Sequence, residues 1–150
     1  MDDPGVLRDR EISLRINVIT PGNRERGFSP AYHFNFFRNG YREIGGKFAL
    51  RIGWTRNLLM YGGHVGYELE PIHRGHHFAE RAVRLMLPLA WGHGLPEVWI
   101  TCNPDNLASI RTCERLGATF VENVPLPPTS DMALRGEMTK NRYVLRRPPA

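Results

Sequence analysis

Near residue 75 the apolar periodicity of this chain changes, and that change limits its fold more than any other feature. Before it, Val65, Tyr67 and Leu69 alternate with His64, Gly66, Glu68 and Glu70, the period-two pattern of a strand over residues 62–70. After it, Ala79, Ala82, Val83, Met86, Leu89 and Ala90 recur at spacings of three and four, which predicts an amphipathic helix over residues 75–93. Between them lies Pro71-Ile72-His73-Arg74-Gly75, a short basic turn. The first-turn N–H groups of a helix have no partners within it, and the dipole places positive charge there. A strand feeding straight into such an end builds an anion site. Arg74 adds a cation, and Gly75 allows close backbone approach.

The flanking segments read as an α+β domain built on one mixed α/β sheet, a single domain over residues 1–150. Residues 11–20 alternate with period two and form a first strand. Residues 32–38 form a second, and Asn39-Gly40 signals a two-residue hairpin because both central positions favour positive φ. The return strand covers residues 42–52, with Ile44, Phe48, Leu50 and Ile52 on one face and a weak point at Gly45-Gly46. Pro88 inside the first helix predicts a kink or a loosened turn. Residues 97–102 form a buried strand, and Pro104-Asp105-Asn106 starts a second helix that Gly117 ends. Residues 118–124 and 141–146 are closing strands, separated by a long loop whose Asp131–Glu137 stretch is a candidate acceptor rim.

Charge and cysteine content narrow the class less than the motifs do. The formal net charge is +5, compatible with a phosphate-bearing ligand or with an ordinary surface. No apolar stretch is long enough to span a bilayer, so no membrane partner is expected. The acidic start lacks the pattern of a secretory signal, and Cys102 and Cys113 are too few for a disulfide framework. The expected location is cytoplasmic.

The segment Arg74-Gly75-His76-His77-Phe78-Ala79 resembles the cofactor motif of the GNAT N-acetyltransferase superfamily: Arg or Gln, two variable residues, Gly, a variable residue, then Gly or Ala. The chain departs from it at His77, where the family prefers Gly. Asn106-Leu107-Ala108-Ser109, running on to Glu114-Arg115-Leu116-Gly117, resembles the family's next helix motif. The Asn-x-x-Ser form, together with Gly66-Tyr67 on the preceding strand, is closest in style to the branch that acetylates the N-termini of ribosomal proteins. Residues 21–30 leave no room for the helices that family members place between their first two strands.

The resemblance implies an acetyl-CoA-dependent N-acetyltransferase acting by direct attack in a ternary complex. The arm of acetyl-CoA would lie where the strand over 62–70 splays from that over 97–102, with backbone groups of Leu69 bonding it. Arg74, Gly75, His76, His77, Phe78 and Ala79 would hold the pyrophosphate, and Asn106 would steady the cofactor. His64 and Glu68 are alternative bases, with His64 favoured because relatives often carry Glu there. Cys113 stands where many relatives have the proton-donating Tyr. The acceptor is an amine on a small molecule or peptide. The missing wall helices leave an open cleft or one closed by a second chain, as in a homodimer.

Two rival readings use the same residues. His73 with His76 or His77 has helical ligand spacing, but no His-Glu-x-x-His or paired Cys-x-x-Cys accompanies it, so no metal is assigned. A non-catalytic acyl-CoA-binding or protein and nucleic-acid adaptor domain is the other. It draws on Arg142, Arg146, Arg147, Phe34, Phe36 and Phe37, with no nucleic-acid motif behind it.

Overall fold

A computed structural model describes residues 1–149. The strands are β1 (Leu7–Arg8), β2 (Ile12–Thr20), β3 (Ala31–Arg38), β4 (Gly46–Arg51), β5 (Val65–Leu69), β6 (Glu97–Cys102), β7 (Thr119–Pro125) and β8 (Thr139–Arg146). The helices are α1 (Phe78–Gly92), α2 (Leu107–Arg115) and α3 (Asp131–Leu134).

The single sheet expected from the sequence is divided. One sheet runs β1-β2-β3-β4-β5, the other β6-β8-β7, each antiparallel throughout. β5 and β6 lie beside each other without a ladder. They are joined where β5 begins, as the His64 N–H donates to the carbonyl of Trp99 within β6 at 2.7 Å.

Register decides which face of the larger sheet is covered. Phe34 pairs with Phe48, Phe48 with Tyr67, and Leu50 with Val65, so these side chains share one face. Phe34, Phe48, Leu50 and Val65 are buried there with Phe78, Ala82, Val83, Met86 and Ala90 of α1. Burying each large apolar side chain is worth roughly 1.5–3 kcal/mol. The other face carries His33, Asn35, Lys47, Ala49, Arg51, Gly66 and Glu68; among the described residues no helix packs across it, and its Arg51 end shares a cavity with residues 58–62 and α3. β2 and β3 are joined by residues 21–30 without a helix, as the spacing requires.

Several local expectations give way to packing. The β3–β4 ladder ends at Phe36↔Gly46, so residues 39–45 form a wide loop rather than a two-residue hairpin. A turn does occur at Asn39-Gly40, where the Tyr41 N–H reaches the Arg38 carbonyl at 3.0 Å. Ile44 is 47% exposed and outside the strand. His73 packs against this segment: a Cβ at Gly45 would come within 2.6 Å of its ring. The strand expected from residue 62 begins at Val65, because residues 58–62 form one turn of π-helix. α1 begins at Phe78 rather than at residue 75, and it runs through Pro88, which lies on its exposed side. The long loop after β7 contains α3. Among the described residues no helix is long and apolar enough to cross a membrane.

Candidate active site

A cavity of about 510 Å³ lies between the end of β5 and the first turns of α1 and α2. Tyr67, Glu68, Leu69, Arg74, Gly75, His77, Phe78, Ala79 and Asn106 all line it. The sequence motifs from two separate stretches therefore meet at one place. His76 does not line the cavity; it is exposed, its ring stacked on Phe78 at 5.2 Å between centroids.

His77 is the N-cap of α1 and sits at φ +62°, ψ +22°. Among the described residues it alone combines a side chain with positive φ. Left-handed backbone costs an L-residue about 1–2 kcal/mol, which is why glycine suits this position. His77 thus takes the backbone shape that glycine would, with its side chain exposed. The His77 side chain makes no capping hydrogen bond to the first turn of α1, so its N–H groups remain available to an anion. At α2 the Asn106 Oδ1 accepts from the Ser109 N–H at 3.2 Å. Arg74 donates through Nε to the Leu69 carbonyl at 2.9 Å, tying the turn to the end of β5.

The edge of β5 facing β6 has a definite polarity. The His64 carbonyl and Glu70 N–H bond toward β4, to the Arg51 N–H and the Gly45 carbonyl. Strand groups alternate, so those of Val65, Tyr67 and Leu69 point into the gap. An extended ligand arm inserted there meets a row of backbone donors and acceptors.

His64 does not share a strand face with Glu68. It precedes β5 and is fully buried, with its ring edge-on to Trp54 at 5.4 Å between centroids. Its Nδ1 accepts from the Trp99 N–H and its Nε2 donates to the Gly53 carbonyl, each at 2.9 Å. That pattern fixes the neutral tautomer with both nitrogens engaged. Burial lowers its pKa and Arg51 adds to the effect, against the opposing pull of the Gly53 carbonyl. Glu68, in contrast, is exposed on the open face, directly across from Lys47.

Cys113 is fully buried and absent from the cavity lining. Its thiol pKa is pushed up, first by hydrogen bonding with Cys102 and then by burial. Tyr67 is a hydroxyl at the cavity that the sequence analysis did not assign a role. It stacks on Phe48, lines the cavity and donates to Ser109 Oγ at 3.1 Å. Burial raises its pKa and keeps the phenol protonated.

The rival clusters are otherwise occupied. Phe34 and Phe36 are core residues. Arg142 is buried, bonded to Glu122 and to the Leu59 carbonyl, with its guanidinium 4.2 Å from the Trp99 ring centroid. Among the described residues no group of three or more His, Cys, Asp or Glu side chains is placed to hold a metal ion.

A split sheet whose gap opens beside two helix N-termini defines a class of acyl-transfer domain, and the comparisons with known proteins agree. Residues 9–119 match the family model described as an acetyltransferase (GNAT) domain, and the chain belongs to that family. No curated protein matches it in sequence. Among solved structures, it is similar to an acetyltransferase from Salmonella typhimurium that modifies the N-terminal serine of a 50S ribosomal subunit protein. The TM-score is 0.67 at 16% identity, covering 96% of this chain and all of that one. A ribosomal α-N-protein acetyltransferase in complex with coenzyme A gives 0.67 at 15% identity, covering 94% and 97%. The microcin C7 self-immunity acetyltransferase, in complex with acetyl-CoA and AMP, gives 0.60 at 21% identity, covering 78% and 61%. At these identities the likeness is one of fold.

Proposed function

We propose that this chain moves the acetyl group of acetyl-CoA onto the amine of an acceptor lying on the uncovered face of the larger sheet. The observation that carries the proposal is the gap between β5 and β6. It starts at the His64–Trp99 bond and reaches the cavity at the α1 N-terminus. On this reading the N–H groups of His77, Phe78 and Ala79 hold the pyrophosphate, with Arg74 and Gly75 shaping the turn. Asn106 holds the first turn of α2 beside the cofactor. The Leu69 carbonyl already accepts from Arg74, so its N–H is the group available to polarise the thioester carbonyl.

The amine must be neutral when it attacks. Its lone pair forms a C–N bond at the thioester carbon, the C–S bond breaks, and the amine proton passes to a base. We assign that base to Glu68, directly or through a water, because its carboxylate faces the open side. His64 has no free lone pair, so its role is positioning. Tyr67, protonated and in the cavity, is assigned as donor to the departing thiolate in place of the enclosed Cys113. The solved relatives' action on ribosomal N-termini supports testing α-amines first.

Coenzyme A release, followed with a thiol reagent across a panel of peptide and small amines, tests the reading. Acetyl-CoA-dependent release with at least one amine, slowed about 10²–10⁴-fold in Glu68→Gln, is the expected result. Saturable acetyl-CoA binding with no acceptor turnover would instead favour a non-catalytic acyl-CoA-binding domain.

A further inference from the structure

The uncovered sheet face holds a cation with no counter-charge. Arg51, at the end of β4, is half-buried and lies across Gly66. A Cβ at Gly66 would come within 3.0 Å of its Nη2, so glycine there makes the guanidinium's position accessible. Its Nη1 donates to the carbonyls of Gly62 and Gly63, at 3.4 and 3.2 Å. Among the described residues it makes no ion pair. Burial holds it below the ordinary arginine value, and no carboxylate offsets that. The neighbouring His33 is pushed toward its neutral form by burial and by Arg51, so it adds no second positive charge. A half-buried cation without an anion is a standing cost that a ligand can relieve.

Arg51 also stands where cavities join. It and His33 line both a groove of about 340 Å³ on the sheet face and a larger cavity of about 940 Å³. Tyr67 and Glu68 line that groove and the cofactor cavity as well. The series of cavities thus shares Tyr67 and Glu68 at one junction and His33 and Arg51 at the next. Asp131 and Arg135, expected at an acceptor rim, line its far end.

We propose that Arg51 is an anion-binding residue of the acceptor site, and that the acceptor is an amine carrying a carboxylate or phosphate. This rests on the acetyl-transfer reading above and deepens it. The guanidinium lies beside Gly66, two residues along β5 from Glu68, or about 6–7 Å at strand rise. With the amine at Glu68, the anion stands about that far from it. Two extended residues span about 7 Å, so a dipeptide's amine and terminal carboxylate have the right separation. A phosphate on a linker of similar length has it too.

Calorimetric titration of the free chain with product-like ligands tests this without turnover. The probes are N-acetylglycylglycine, its neutral amide, and its phosphonate analogue. The carboxylate or the phosphonate binds at least tenfold more tightly than the amide, and the tighter of the two identifies the anion. Arg51→Met closes that gap, and Arg51→Lys retains part of it. Thermal melting reports whether each variant folds. Should Arg51→Met not fold, Gly66→Ala displaces the guanidinium and closes the gap in its place. Equal affinity for charged and neutral probes, or a gap that survives in the folded variants, overturns the proposal. Failure of acetyl transfer is seen separately, as absence of coenzyme A release with every amine, and leaves this readout intact.

Discussion

His64 and Trp99 are bonded to each other twice: the His64 N–H donates to the Trp99 carbonyl at 2.7 Å, and the Trp99 N–H donates to His64 Nδ1 at 2.9 Å. One residue thus links the two sheets through backbone and side chain at the point where they begin to part. His64→Ala leaves the Trp99 N–H and Gly53 carbonyl without partners, each worth about 1–3 kcal/mol if still buried. We expect a lower melting temperature and reduced turnover, with the acidic limb of the pH–rate profile unmoved. Loss of that limb would return the base role to His64.

Stability should fall in mild acid. Burial depresses the folded-state pKa values of His64, His33 and His73. The unfolded chain titrates near 6.5 and binds more protons than the folded chain just below that pH. Stability is therefore fully present above about 6.5 and declines as pH drops toward the depressed values. Chemical denaturation at pH 7.5 and 5.5 should show the decline, and His64→Ala should lessen its steepness. An unchanged midpoint would contradict these assignments.

Replacing His77 separates backbone from side chain. At φ +62° glycine avoids a strain of about 1–2 kcal/mol, part of which is offset by its greater entropy when unfolded. His77→Gly is expected to melt no lower than the parent and to bind acetyl-CoA as well or better. His77→Val should lose both stability and binding. A large loss of binding in His77→Gly would show that the imidazole itself holds the cofactor.

Kinetics separate the proposed acid from its sequence-based rival. Tyr67→Phe should lower kcat with little change in acetyl-CoA affinity, because the ring still stacks on Phe48. Glu68→Gln should cost about 10²–10⁴-fold in kcat/KM. Cys113→Ala should affect melting more than rate. A rate loss in Cys113→Ala equal to that in Tyr67→Phe would place the buried thiol back in the chemistry.

The strand-to-helix turn was legible in the sequence because its signals are local, a change of period and Arg74-Gly75, and the start of α2 was legible from its capping Asn106. The α1 face was legible for the same reason. What escaped depends on distant partners. The hairpin expected at Asn39-Gly40 is a wide loop with His73 packed on Gly45, and no local pattern announces that contact. His64 followed the strand's alternation on paper, yet its ring nitrogens are committed to Gly53 and Trp99, each far along the chain. Arg51 carried no signal of its own, since its position depends on the absent side chain at Gly66.

The central claim is that the first turn of α1 binds acetyl-CoA, and calorimetric titration of the chain with acetyl-CoA tests it most directly. Saturable binding near one per chain is predicted, weakened at least tenfold when Arg74 and Gly75 are both replaced by Ala in a variant that still melts cooperatively. Absence of saturable binding, or equal affinity in that variant, would contradict the account.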